Sequence, residues 1–240
     1  MTRVVTNARV RPGRLPEILA PRDALVVEEG DGDGAYRAVV GPVHDYRRTV
    51  AVVAADGAPD GEVEVCQTVT YRLAVPFFGW LFGWPFKRRM AQLGAPERHP
   101  WWAPPDPLGP RAATMLASLC ALAAVAAYPG ILLGQTIEFA REEMGFRPSA
   151  QSFALAAVRG DVVVALAIVA IADRRGRRQV TLAALAAGCV VIALGSVAPN
   201  LEVLTATQVV GRGGLTGALI LMGIMAAEEM PANSRAYAVS

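Results

Sequence analysis

The chain has 240 residues, of which 53% are hydrophobic and only 18% are charged, and its mean hydropathy is +0.36. An ordinary soluble domain of this length is less apolar, so the composition predicts segments embedded in a membrane. The net charge is +2 and the basic residues fall in short clusters, which excludes an extended nucleic-acid-binding surface.

Residues 1–110 carry most of the prolines and are predicted to form a small β-rich α+β region. Two short runs, ALVVEE and AYRAVV, flank the turn sequence GDGDG, and RRTVAVVAA follows them. The segment from Val63 to Leu73 predicts a strand with one buried face, because every second residue falls on that face: Val63, Val65, Gln67, Val69, Tyr71 and Leu73. The start of the chain has no apolar run of signal-peptide length, so we expect the N-terminus to stay in the cytoplasm.

The segment VPFFGWLFGWPFKRRMAQL follows the last predicted strand and predicts an amphipathic helix, after which a proline-rich linker continues to residue 110. A long final strand followed by a helix resembles the end of a helix-grip domain of the polyketide-cyclase and lipid-transfer type. That resemblance implies a cavity for an apolar ligand. Alternatively, the aromatic residues of this segment and the basic run Lys87-Arg88-Arg89 are typical of an anchor in the membrane interface.

Four segments are predicted to cross a membrane as helices, because a bilayer core about 30 Å thick needs roughly 20 mostly apolar residues. The first and the third contain no Asp, Glu, Lys or Arg, and the third offers Ala187 and Gly188 for close helix packing. The second contains Arg159 and Asp161, and the fourth contains Arg212. The predicted spans cover residues 112–135, 152–172, 180–201 and 203–227.

The basic residues of the connecting loops predict the orientation of these spans. The second loop, DRRGRRQ, has four arginines, whereas the first, TIEFAREEMGFRPS, has three glutamates and two arginines. Because positively charged loops stay in the cytoplasm, we expect a multi-pass protein of a bacterial plasma membrane with both termini in the cytoplasm. Ser149 is then expected outside, and Gln179 and Ser234 inside.

The basic loop between the second and third predicted spans, within AIVAIADRRGRRQVTL, resembles the Asp-Arg-x-Gly-Arg-Arg loop of the major facilitator superfamily. The matching residues are Asp173, Arg174, Gly176, Arg177 and Arg178. This resemblance implies a secondary transporter with two six-span bundles, which the loop latches together on the cytoplasmic side. Asp173 can accept charge-assisted hydrogen bonds from arginines, and Gly176 permits a turn that a β-carbon would crowd.

The stretch after the fourth predicted span, AEEMPANSRAYA, resembles an acidic-Pro-x-x-x-Arg stretch of the same family. The matching residues are Glu228, Glu229, Pro231 and Arg235. We expect Glu228 or Glu229 to pair with the loop arginines. The family commonly has a glycine where this chain has Val169, and its twelve or fourteen spans lead us to expect further spans after Ser240.

The charged residues within the predicted spans are candidates for a functional role. An isolated charge at the bilayer centre costs roughly 2.5–3.5 kcal/mol on insertion scales, so we expect these residues to face the bundle interior and to have partners. At 1.5 Å per residue, Asp161 and Arg212 lie about 14 and 16 Å from the outer ends of their spans, which predicts a pair. Arg159 faces another side, towards the outer head groups or Gln135.

The sequence contains no Ser/His/Asp arrangement, no metal-ligand cluster and no phosphate-binding glycine loop, so we expect neither an enzyme nor a metal or other cofactor. The resemblance to the major facilitator superfamily implies a secondary active transporter of a small solute, which works by alternating access, and we expect it to be coupled to protons. Asp161 is the candidate coupling residue, and a purely structural pair is the alternative. The alternative function is a membrane-tethered module in which the N-terminal region binds a lipid or apolar ligand and the helices serve as anchor.

Overall fold

The computed structural model describes residues 1–54, 62–94, 99–145 and 148–240, and few of the side chains between residues 130 and 151. The chain divides into two compact units. The N-terminal unit comprises Met1–Ser118 together with Glu229–Ser240, and the helical unit comprises Leu119–Glu228.

Five antiparallel strands form the sheet of the N-terminal unit, in the order β1-β5-β4-β3-β2. The strands are β1 (Thr2–Val10), β2 (Val27–Gly30), β3 (Ala35–Val40), β4 (Val43–Ala54) and β5 (Val63–Leu73). The predicted hairpin is present, since β2 pairs with β3 across a turn in which Gly32, Asp33 and Gly34 all have positive φ. Strand β1 was not predicted. It forms the sheet edge beside β5 and buries Val4 and Val10.

Strand β5 has the buried face that its alternating sequence predicted. Val65, Gln67 and Val69 are fully buried, and Tyr71 is almost so. Helix α1 (Leu15–Leu19) contributes the buried Ile18 to the core, and helix α2 (Gly79–Met90) follows β5. Phe86 of α2 packs against Tyr71 with ring centroids 5.0 Å apart. Buried side chains from the sheet and from α2 therefore pack into one hydrophobic core.

A charged network lies inside the N-terminal unit, and the sequence analysis did not predict it. Glu28 accepts hydrogen bonds from Arg48, whose Nη2 lies 2.7 Å from Glu28 Oε2, and neither side chain is exposed. Arg48 also donates to the main-chain carbonyls of Ile18 and Ala20. Tyr46 donates to Glu28, and burial together with the nearby carboxylate raises the pKa of the Tyr46 hydroxyl. A buried charge is tolerated only when it is paired in this way.

Arg22 is a second buried arginine of the same network. Its Nη2 donates to Gln67 Oε1 at 3.2 Å and to the carbonyls of Met90 and Gln92. Burial lowers the pKa of Arg22, while the Glu28 carboxylate, 3.9 Å from Arg22 Nε, opposes this shift. The network therefore connects strands β2, β4 and β5 with the end of α2.

The remaining helices are α3 (Pro110–Met144), α4 (Pro148–Val158), α5 (Asp161–Arg175), α6 (Arg177–Gly195), α7 (Leu201–Glu229) and α8 (Arg235–Val239). Within the described residues, four segments are long and apolar enough to cross a membrane. They are Pro110–Pro129, Ser152–Arg175, Arg177–Gly195 and Leu201–Glu229. Each corresponds to one of the four predicted spans.

The ends of the first and third helices differ from the prediction. Helix α3 has 35 residues, about 52 Å at 1.5 Å per residue, and continues past residue 135 to Met144. Helix α6 ends at Gly195, whereas the third span was predicted to reach residue 201. The third span is shorter because the next helix has its own cap, which the apolar pattern did not indicate. Asn200 accepts a hydrogen bond from the amide of Val203 at 2.9 Å and so caps α7.

Candidate functional site

The second predicted span is not one continuous helix. Helix α4 ends at Val158, and α5 begins only at Asp161. Between them, the amides of Arg159 and Gly160 donate to carbonyls three residues earlier, at 3.1 and 2.9 Å. Such tight turns interrupt the α-helical hydrogen bonds, and a glycine favours the interruption. The span predicted over residues 152–172 is therefore present as a candidate span with an interruption that its apolar pattern did not indicate.

Asp161 occupies the first position of α5, where the free amide groups of a helix start favour a negative charge. Arg212 of α7 lies beside it, with Arg212 Nε 3.8 Å from Asp161 Oδ2. The two side chains are 13% and 26% exposed, for Asp161 and Arg212 respectively. The contact between Asp161 and Arg212 that their equal depths predicted is therefore present.

Glycines of α7 hold this helix close to α5. A β-carbon on Gly213 would lie 2.4 Å from Val164 Cβ and 2.8 Å from the carbonyl oxygen of Asp161. On Gly217 it would lie 3.1 Å from Ile168 Cβ. Because Gly213 follows Arg212 directly, the close approach of the two backbones is what brings the guanidinium to Asp161.

Glycines also join α7 to α6. A β-carbon on Gly188 would lie 2.9 Å from the carbonyl oxygen of Gly211, and one on Gly214 would lie 3.1 Å from that of Ala184. The prediction that Gly188 permits close packing is therefore confirmed. The same prediction for Ala187 was wrong, because Ala187 is exposed. Consecutive side chains point about 100° apart around a helix, so Ala187 does not share the packed face of Gly188.

Of the other two polar residues predicted within the spans, only Arg159 has a described side chain. Arg159 is exposed, in agreement with the prediction that it points away from Asp161. Gln135 belongs to α3, but its side chain lies outside the described part of the structure. Its suggested contact with Arg159 stays a prediction.

The loop motif and the end of α7 form a second charged site. Arg177 Nη2 lies 3.8 Å from Asp173 Oδ1, and Arg177 also pairs with Glu228. All three side chains are partly exposed. The predicted pairing of a loop arginine with the acidic stretch is therefore present at Glu228. Glu229 instead lies in the N-terminal unit, 3.8 Å from Arg111 Nη2.

Gly176 connects α5 to α6 with φ of +96°, a conformation that is strained for residues with a β-carbon. We expected a glycine here because a β-carbon would be crowded in the turn. A β-carbon on Gly176 would in fact meet nothing within 4 Å, so the positive φ is the reason. Arg174 and Arg178 on either side of the glycine are exposed. Arg235, the last residue of the acidic stretch, donates to the carbonyl of Met230 at 3.4 Å.

Comparison with protein-family models, curated proteins and solved structures gave no match. Asp161 is an ionisable carboxylate at a helix break, it faces a fixed cation, and glycines pack the helices around it. The two ion pairs of Arg177, with Asp173 and with Glu228, are more exposed and lie at the other end of α5.

Contacts between the segment before α3 and the segment after α7 were missed by the sequence analysis. Within the N-terminal unit, the hydroxyl of Ser234 accepts a hydrogen bond from the amide of Asp106 at 2.9 Å, and Tyr237 donates to the carbonyl of Trp102 at 2.8 Å. Met230 packs with Leu108. These partners are more than 120 residues apart, so no local sequence pattern indicates them.

Proposed function

We propose that this chain belongs to a secondary transporter of the major-facilitator type, which moves a small solute across the plasma membrane by alternating access. The pair of Asp161 and Arg212 at the break between α4 and α5 is the observation that carries this proposal. Ionisable residues inside a membrane mark substrate and ion pathways. Interrupted helices form the substrate and ion sites of many secondary transporters.

Protons are the proposed coupling ion, and Asp161 is the group that binds them. With Arg212 at 3.8 Å, the Asp161 carboxylate has a countercharge. If the helices move and this distance grows, the Asp161 carboxylate loses this countercharge, which is costly inside a membrane. Binding of a proton to Asp161 removes the negative charge. Protonation therefore favours the separated arrangement, and this links proton binding to the conformational change.

The loop between α5 and α6 is proposed to stabilise one of the two arrangements. Arg177 pairs with Asp173 on α5 and with Glu228 at the end of α7, so these contacts must change if the two helices separate. Such ion pairs are individually weak because they are partly exposed. They are suited to an equilibrium that a solute or a proton can shift.

The proposed orientation places this loop, the N-terminus and Ser240 in the cytoplasm. It rests on the four arginines of DRRGRRQ against the acidic composition of the loop between the first two spans. The contacts of Asp106 with Ser234 support the same arrangement, because the segments before the first and after the fourth candidate span lie in one unit.

The alternative function, a tethered module for an apolar ligand, receives less support. The space between the sheet and α2, where such a ligand would bind, is filled by Tyr71, Phe86 and Met90. Beside them lies the network of Glu28 and the two buried arginines. A charged and filled interior is poorly suited to an apolar ligand.

Proteoliposomes that contain the protein and a trapped pH-sensitive dye test the proposed transport. Amino acids, sugars, carboxylates and organic cations are added in turn, and solute-dependent proton movement is recorded. We expect one of these classes to drive protons in the native protein. We expect Asp161→Asn to abolish the proton signal, because an amide cannot exchange a proton.

The matched control is Glu202→Gln, which removes an exposed carboxylate at the start of α7 and should leave the proton signal unchanged. If no class of solute moves protons through correctly inserted protein, or if Asp161→Asn retains the native signal, the proposed coupling is wrong. Solute uptake that persists without proton movement in Asp161→Asn would show transport uncoupled from protons and would support Asp161 as the group that binds them.

A further inference from the structure

Helix α2 of the N-terminal unit exposes an apolar side. Phe77, Trp80, Leu81 and Trp84 are 70%, 79%, 51% and 68% exposed. Trp80 and Trp84 are about one helical turn apart and Leu81 lies three residues before Trp84, so these three lie on one side of the helix, and Phe77 lies just before its first residue. Phe86 and Met90 lie on the opposite side and are buried against the sheet. Large aromatic residues are usually buried by packing, but in α2 only the side with Phe86 and Met90 is buried. The exposed aromatic side is available to a partner.

Basic residues continue this exposed side. Lys87 and Arg88 follow at the next turn of the helix and are exposed, and the guanidinium of Arg88 lies 5.6 Å from the ring centre of Trp84. Tryptophans next to lysine and arginine suit the boundary between acyl chains and head groups. The cations match the negative surface of a membrane that contains anionic lipids.

Contacts within the N-terminal unit place α2 near the start of the first candidate span. The hydroxyl of Thr114 donates to the carbonyl of Ala74 at 3.1 Å, and Ala74 lies only five residues before the start of α2. The candidate span begins at Pro110, one helical turn before Thr114. The ring of Phe82 on α2 also lies 6.3 Å from that of Trp102, in the segment leading to this span. The aromatic side therefore lies close to the start of the first candidate span.

We propose that the exposed side of α2 lies in the interface of the membrane that α3 crosses, where its tryptophans insert among the lipids and Lys87 and Arg88 bind anionic head groups. The β-sheet is then held against the membrane surface by α2 in addition to α3. This surface is separate from the pair of Asp161 and Arg212. It rests on membrane crossing by α3 and is independent of transport activity.

Spin labels on the full chain test this proposal in lipid nanodiscs of phosphatidylcholine and phosphatidylglycerol. In a background with Cys66, Cys120 and Cys189 replaced by alanine, single cysteines are introduced as Trp80→Cys, Trp84→Cys and, for control, Val53→Cys. Relaxation by oxygen, which concentrates in the bilayer, is compared with relaxation by a water-soluble nickel complex.

Val53 is a suitable control because it is 56% exposed and apolar but faces away from α2. It pairs with Glu64, and side chains alternate along a strand, so it points to the opposite side of the sheet from the buried Val50. All three labelled positions are exposed, so the substitutions remove no core packing.

We expect the labels at positions 80 and 84 to respond several-fold more to oxygen than to nickel, and the label at 53 to show the reverse. The double variant Lys87→Gln, Arg88→Gln should move positions 80 and 84 towards the aqueous values. Nickel accessibility at 80 and 84 equal to that at 53 would overturn the proposal and assign the surface to water or to a soluble partner. A second result would overturn the proposed binding of anionic head groups. It is that the oxygen and nickel responses at positions 80 and 84 stay the same in the double variant and in discs without phosphatidylglycerol.

Discussion

Both units of the chain hold an arginine next to a carboxylate, and the two pairs are built differently. In the N-terminal unit, Arg48 Nη2 lies 2.7 Å from Glu28, both side chains are fully buried, and Arg48 also binds two main-chain carbonyls. In the helical unit, Arg212 Nε lies 3.8 Å from Asp161, both side chains are partly exposed, and the carboxylate stands at a break between two helices.

This difference agrees with a structural role for the first pair and with the functional role that we propose for the second. The buried pair has hydrogen bonds that fix one geometry, and any displacement would leave charges without partners at high cost. The longer pair of Asp161 and Arg212 can separate at a smaller cost, and a proton can compensate for the separation. Burial of charge alone therefore does not identify a functional site. The packing and hydrogen bonds around the charge decide its role.

The largest effect is expected from Glu28→Ala, which breaks the fixed pair. It leaves Arg48 and Arg22 buried without their carboxylate, and we expect a loss of about 3–5 kcal/mol in the free energy of unfolding of the N-terminal unit. Limited proteolysis of the sheet at increasing denaturant concentration measures this loss.

The control for this change is Glu29→Ala, one residue along the same strand. The Glu29 side chain is 58% exposed and pairs with the exposed Arg37, so its removal should cost less than about 1 kcal/mol. Equal effects of the two substitutions would show that the buried network does not stabilise the sheet.

A smaller effect is expected from breaking the pair of Asp161 and Arg212. Asp161→Arg alone and Arg212→Asp alone place like charges side by side, so each should reduce the amount of inserted, folded protein. The double exchange restores opposite charges and should recover folding, measured as the monodisperse fraction after detergent extraction. Additive losses in the double variant would mean that the two side chains do not interact.

The close packing behind this pair is tested by Gly213→Ala. A methyl group there would overlap Val164 and the carbonyl of Asp161, so we expect a loss of about 1–3 kcal/mol in the stability of the helical unit. Gly223→Ala is the matched control in the same helix, because its β-carbon would meet nothing within 4 Å. Thermal unfolding in detergent should show a lower midpoint for Gly213→Ala only.

The smallest effect on stability is expected from Asp173→Asn. Asp173 is 61% exposed and lies 3.8 Å from Arg177, so its charge should contribute less than about 1 kcal/mol. We nevertheless expect a lower transport rate with solute binding retained, because the contact acts on the conformational equilibrium. A native transport rate in this variant would remove the proposed role of the loop.

Local patterns predicted the parts of this fold that depend on neighbouring residues. The alternation from Val63 to Leu73, the GDGDG turn and the four apolar helices are all found in the structure. The contact of Asp161 with Arg212 was predictable because helix geometry converts sequence position into depth.

Features that depend on distant residues were not predictable in this way. Glu28 and Arg48 are twenty residues apart, and neither lies in a pattern that indicates burial. The break at Gly160 was concealed because the apolar residues continue on both sides of it. Strand β1 has no clear alternation and owes its place in the sheet to its pairing with β5.

The number and direction of the membrane crossings can be measured directly with single cysteines in a cysteine-free background and an impermeant thiol reagent. Ser149 and Gln179 are exposed and serve as labelling sites. Ser234, first expected to be accessible, is buried against Asp106, so the exposed Ala236 replaces it. Intact cells should label Ser149→Cys, whereas Gln179→Cys and Ala236→Cys should react only after permeabilisation. Labelling of Gln179→Cys from outside would contradict the proposed topology and the transport mechanism that depends on it.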